Sequence, residues 1–228
     1  LSFNKCNSLT AITIPNNVTT IGDYVFGECS SLASITIPQN VTSIGSSALY
    51  KCNDLSSIIV EEGNSIYDSR DNCNAIIETS SNTLITGCKN TVIPHSVTSI
   101  GNSSFYGLSS LASILIPDNV TSIGQEAFRY CSGLTSVTIP GSITSMGSEA
   151  FRKTGLKSVE ILEGVTSLDA SLFFKCTALA SVSIPSTVTF INSTVFDGCT
   201  NLSRVTVANP TLVAIDASTF SNRANATL

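Results

Sequence analysis

A chain of 228 residues with 42% hydrophobic and only 12% charged side chains, at a net charge of −5, has material for a core and no basic footprint for a phosphate backbone. Ser, Thr, Asn or Gly interrupts every apolar stretch, so no run approaches the ~20 residues that span a bilayer. One His, one Met and no Trp leave little for imidazole ligation of a metal or for acid–base catalysis, and no cofactor is implied.

Self-similarity dominates the pattern. Residues 111–131 read LASILIPDNVTSIGQEAFRYC and residues 32–52 read LASITIPQNVTSIGSSALYKC, position for position. In chain order the units run 15–37, 38–60, 61–93, 94–116, 117–139, 140–161, 162–184 and 185–207, with partial units at both ends. The unit 140–161 is shortened at RKTGL, and 61–93 is longer than the rest.

Within each unit, L-x-x-I-x-I has the alternation of a half-buried strand, which the following Pro terminates because it lacks an N–H. Strands are expected near 10–14, 33–37, 56–60, 90–93, 112–116, 135–139, 157–161, 180–184 and 203–207. The next apolar pair, in V-T-x-I, reads as a second short extended segment, and Gly45, Gly101 and Gly124 read as tight corners. The A-F-x-x-C stretch, as in Ala127, Phe128 and Cys131, reads as a short helical turn. In the long unit, AIIETSSNTLITG reads as a β-hairpin turning at Ser80 to Asn82. A unit of this size cannot bury its own apolar side, so neighbours must stack into a right-handed solenoid with a long parallel sheet.

The pattern resembles leucine-rich repeats, with Pro and V-T-x-I-G in place of the usual Asn after the strand, and those departures resemble the BspA-like subfamily. The long unit looks like an insert found among such proteins. The resemblance implies an exported, surface-displayed bacterial binding or adhesion protein, hence a secreted or cell-surface location and no glycosylation at sequons such as Asn40, Asn102 and Asn119.

Phe3 to Cys6 already reproduces the spacing of Phe26 to Cys29, and neither end carries a cap. The chain is therefore expected to be one solenoid domain over 1–228, trimmed at both ends.

Cys6, Cys29, Cys52, Cys131, Cys176 and Cys199 share one repeat slot, which Leu108 fills in 94–116. Leu there marks the slot as apolar, so these thiols are expected to be buried and unpaired. Burial as thiols is also the expectation for Cys73 and Cys88.

Chemistry is sparse. His95 is the only imidazole, at a corner slot that is otherwise Asn16, Gln39, Asp118, Gly141 or Ser186. Glu61, Glu62, Asp68, Asp71 and Asn72 gather in the long unit at a spacing that fits no EF-hand loop, and read as solvated turn residues. No metal site and no catalytic group is assigned.

What remains is surface. Outward slots of the main strands give Ser34, Ser57, Asn90, Ser113 and Ser136 in one row and Thr36, Ile59, Val92, Leu115 and Thr138 in the next, an uncharged aliphatic and hydroxylic face. These ten residues are the candidate ligand contacts, with no aromatic cluster on any outward slot to stack a sugar. The expected function is a non-enzymatic extracellular or surface module that binds a macromolecule, a protein foremost, through the solenoid sheet, with neither nucleic acid nor membrane insertion. The alternative is an architectural or self-associating spacer of a larger surface protein.

Overall fold

The computed structural model describes residues 2–209, 214–215 and 218–219. Successive units stack as rungs of a β-solenoid with three sides.

On the first, the strand side, the alternating sequence pays out as alternating burial. Ser34–Ile37, Ser136–Ile139, Ser158–Ile161 and Ser181–Ile184 all run exposed, buried, exposed, buried. Equivalent residues pair in parallel: Ser34 lies opposite Ser57, Val137 opposite Val159 and Val182 opposite Val205. Identical units entering a sheet in the same direction admit no other pairing.

This side is broken. A two-stranded sheet (Ser34–Ile37 with Ser57–Val60) and a four-stranded one (136–139, 158–161, 181–184, 204–207) are separated by 90–93 and 112–116, neither of which forms a strand. Residues 10–14 form none either. The expected strands at these three places are corrected accordingly.

The second, corner side carries the V-T-x-I segments as two-residue strands such as Ser99–Ile100 and Ser122–Ile123, paired in parallel. Here the long unit changes the architecture. Ala75–Glu78 and Thr83–Gly87 form the expected antiparallel hairpin, and Tyr67–Asp68 pairs on its far edge, so the longest sheet has six strands and mixed direction. The expectation that the longest sheet would be parallel fails at this hairpin, which enters the array antiparallel to itself.

Ala75, Ile76 and Ile77 are all buried. Consecutive burial requires apolar cover on both faces of a strand. Ile76, Tyr67 and Cys88 pack with the units before the hairpin, while Cys73, Ala75, Ile77 and Leu84 pack with those after it. The hairpin is a septum that divides the interior into two hydrophobic clusters.

The third, turn side holds A-F-x-x-C. It is not helical: the only helix among the described residues is the 3-10 turn Arg70–Asn72. Cys131 N–H does bond to the Phe128 carbonyl three residues back, but Glu126 and Tyr130 sit at φ of 57° and 63°. Left-handed residues four places apart forbid a helix and aim N–H groups at the next rung, as in Phe128 N–H to Ala150 (2.8 Å) and Tyr130 N–H to Arg152 (2.9 Å). A three-residue spacing is common to both kinds of turn, which is why the sequence pattern could not separate them.

Rows of like residues fill the interior. Phe105, Phe128, Phe151, Phe173 and Phe196 stack with centroids 4.9–5.7 Å apart. The corner glycines are not at positive φ. A Cβ on Gly124 would lie 2.5 Å from Asn102 N, and one on Gly45 would lie 2.4 Å from Asp23 N. They are glycine because the rung beneath comes too close for a side chain, not because the corner needs left-handed backbone.

Seven of the eight cysteines are buried and all eight are free; Cys6 is exposed, against the expectation for its slot. The thiols do more than fill space. Cys29, Cys52, Cys131, Cys176 and Cys199 each donate to the Phe carbonyl of the preceding rung, at 3.0–3.1 Å.

Candidate binding surface

The low charge of the chain has a structural use. Across rungs, hydroxyl and amide side chains cap backbone carbonyls: Thr42, Thr121, Thr144 and Thr189 reach the preceding Thr carbonyl. Asn64, Asn119, Ser142 and Thr187 reach the preceding Val carbonyl at 2.7–2.9 Å. Asn119 is thereby committed to the array through the amide nitrogen that a glycan would have to occupy.

Two carboxylates of the long unit are engaged, Asp68 in a turn and Glu61 across rungs. Asp68 accepts from the Arg70 backbone two residues on and ion-pairs with its guanidinium, which holds the Asp68 carboxyl below its ordinary pKa despite partial burial. Glu61 accepts the Gln39 N–H (3.0 Å). His95 is exposed at its corner, where its carbonyl accepts from Asn119.

On the strand side the ten proposed contact residues come together as two rows. Nine are exposed and Ser57 is half-buried. Ile59, Val92 and Leu115 are 52%, 70% and 78% exposed, while their neighbours Ile58, Ile93 and Ile116 are buried. These are the three most exposed large aliphatic side chains among the described residues, and they share one face.

They sit at the break. No backbone group of Ala112 to Ile116 forms a hydrogen bond, although neighbouring segments are tied at this level, as in Lys157 N–H to the Thr135 carbonyl (2.8 Å). Between 113–116 and the strands at 136–138 and 158–160 lies a groove of about 410 Å³. Its only charged lining residue is Glu160, which accepts from Thr138 Oγ1 (3.1 Å). The sequence placed the aliphatic strip correctly but gave no sign of the unpaired backbone beside it.

The expected lack of an outward aromatic cluster is overturned on the turn side. Tyr24, Tyr50, Tyr106 and Tyr130 form a row with centroids 6.1, 4.9 and 5.7 Å apart. These residues fall at slots read as parts of a helical turn, so their shared direction went unnoticed. Cations cover them: Arg129 lies over Tyr106 and Tyr130 and bonds to Glu126 and Glu149, while Lys153 lies over Tyr130. Donation from Arg129 and Lys153 pulls the Tyr130 hydroxyl below its ordinary pKa. These cations stand on the turn side, and the strand-side rows from Ser34 to Thr138 carry no charge.

A three-sided parallel array of this kind, with an outward-facing strand row, is a leucine-rich-repeat solenoid. The family model for the BspA type leucine rich repeat region matches six copies over residues 1–86 and 98–227, and the chain belongs to that family. Among solved structures it is similar to a leucine rich cell surface protein of Faecalibacterium prausnitzii A2-165, at 33% identity and TM-score 0.75 over 90% of this chain and 55% of that one. It is also similar to a leucine-rich repeat protein of Eubacterium ventriosum ATCC 27560 (28%, TM-score 0.74, 85% of this chain and 53% of that). A third is a leucine-rich repeat protein of Bacteroides ovatus ATCC 8483 (28%, TM-score 0.57, 90% and 45%). The chain therefore spans about half the length of these structures. No curated protein matches it.

Proposed function

We propose that the chain is a non-enzymatic binding module, displayed on a bacterial surface or secreted, which engages a protein through the strand side. The observation that carries this reading is the exposed strip of Ile59, Val92 and Leu115, the last of which lines a groove whose wall at 112–116 has unpaired backbone. Such a face sheds water at little cost and offers both apolar contact and hydrogen bonds to an extended partner segment. The surface location is supported by the description of the F. prausnitzii structure as a cell surface protein.

The experiment is capture of immobilised extracellular-matrix proteins by the purified chain and by a triple variant, Ile59→Lys, Val92→Lys and Leu115→Lys. Capture by the parent and its loss in the variant, with circular dichroism and melting unchanged, is the expected result. Equal capture by both moves the site off this face. Absence of capture together with concentration-dependent self-association would favour the spacer reading.

A further inference from the structure

Regular rungs leave no room between them at the corner, as the close approach of Gly124 to Asn102 and of Gly147 to Gln125 shows. The long unit is the exception, because it supplies a hairpin there instead of another A-F-x-x-C turn. The rung carrying Ser46 and Ser47 is followed by the flank of that hairpin and then by Gly101 and Asn102 of the next regular unit. Between them opens a cavity of about 190 Å³, lined by Ile44, Ser47, Tyr67, Glu78, Thr86 and Asn102 among others.

Its chemistry is specific. The hydroxyls of Ser46, Ser47 and Thr86 make no hydrogen bond within the chain. Asn102 Oδ1 accepts the Gln125 N–H at 2.8 Å, which fixes the amide and leaves its NH₂ uncommitted. One Glu78 oxygen accepts from Ser81 Oγ, which fixes the carboxylate and leaves the other oxygen available. Tyr67 Oη accepts the Ile44 N–H (3.2 Å), pinning the corner to the hairpin and keeping the phenol proton for a ligand. Ile44 and Ile85 supply an apolar wall.

A second feature marks the same gap. Ser104 Oγ is buried without a partner, and it lines an adjoining crevice of about 10 Å³, room for one water, that shares Ser47 and Thr86 with the cavity.

We propose that this cavity is a subsite for a single neutral sugar ring, the end of a glycan. A pyranose is a disc with C–H faces and a rim of hydroxyls that both donate and accept, which matches an apolar wall facing unengaged hydroxyls and a fixed phenol, amide and carboxylate. The lining carries a carboxylate and no cation, so phosphorylated or acidic sugars are disfavoured. The Tyr67, Glu78 and Asn102 groups are held in place before any ligand arrives, which lowers the ordering cost of binding. This site is independent of the strand side.

The test uses methyl glycosides of glucose, galactose, mannose and N-acetylglucosamine at millimolar concentration, read by amide chemical shifts of the isotope-labelled chain. The expected result is saturable shifts at Ser46, Ser47, Thr86 and Asn102 with at least one glycoside. That response should weaken at least tenfold in both Glu78→Gln and Asn102→Ala at unchanged melting temperature, and stay unchanged in Leu115→Lys. Absence of saturable shifts with all four glycosides would overturn the proposal. So would equal response in both variants, or equivalent shifts with glycerol or tetramethylammonium.

Discussion

Cys131 Sγ lies 3.0 Å from the carbonyl oxygen of Phe105 in the rung below, and the same contact recurs at Cys29, Cys52, Cys176 and Cys199. Thr154, which holds the slot in the shortened unit, turns its hydroxyl to the Phe151 carbonyl (2.9 Å) and to Cys176 Sγ (3.1 Å). The slot therefore takes a buried side chain, and where that side chain carries a donor, as Cys and Thr do, it bonds a Phe carbonyl; Leu108 fills the same slot by packing alone.

Burial pushes the Cys52 thiol up to about 12 and the Cys73 thiol to about 11, from an ordinary 9.0. Folding favours the protonated thiols, so their contribution is complete below pH 9 and is lost as pH climbs toward 12. The melting temperature should fall steeply above pH 9. A disulfide-exchange reagent at pH 8 should react at once only with exposed Cys6, and with all eight thiols after denaturation. Cys131→Ala should cost about 1–2 kcal/mol in a urea titration, since it removes both the donor and buried volume.

Gly124→Ala should destabilise by about 1–3 kcal/mol through overpacking against Asn102. Asp169 and Asn192 occupy this slot in later units, so the corner can widen rather than unfold. Ser103→Gly, at φ 53°, should instead be neutral or stabilise by up to about 1 kcal/mol. Thermal melts of the two variants should move in different directions; similar losses in both would refute the close-approach explanation.

Arg129 bridges Glu126 and Glu149 while lying over two tyrosine rings, with its side chain only 17% exposed. Arg129→Lys keeps the charge but loses the planar fork that makes both contacts at once. A loss of about 1–2 kcal/mol in chemical denaturation is expected, with little dependence on salt for so sheltered a cluster.

Asn119→Asp replaces an NH₂ aimed at the Val97 and His95 carbonyls by an oxygen. Acceptor then faces acceptor, and the expected cost is about 1–3 kcal/mol at pH 7, partly recovered below pH 4 where the carboxyl regains a proton to donate. Urea titrations at the two pH values check it.

The stacking of units was legible because alternation alone fixes which side chains of Ser34–Ile37 or Ser136–Ile139 turn inward. Whether such a segment joins a ladder was not. LASILIP at 111–117 differs from LASITIP at 32–38 in one residue, yet only the second forms a strand. Local sequence sets the capacity to pair; the neighbouring rung decides whether pairing occurs, and next to 112–116 that neighbour is the irregular long unit. The rows along the strand side followed from slot counting. The Tyr row and the cavity beside Glu78 did not, because the first depends on left-handed residues without glycine and the second on a rung that is missing.

The septum formed by Ala75–Glu78 has a mechanical consequence. Tension applied along the stack would meet two separately filled interiors, one on each side of Ile76 and Ile77, instead of a single zipper of identical contacts. Extension should therefore proceed in two unequal ruptures, with the shorter N-terminal block as the smaller event, and a tear begun at one end would be arrested at the hairpin before it could run the length of the array.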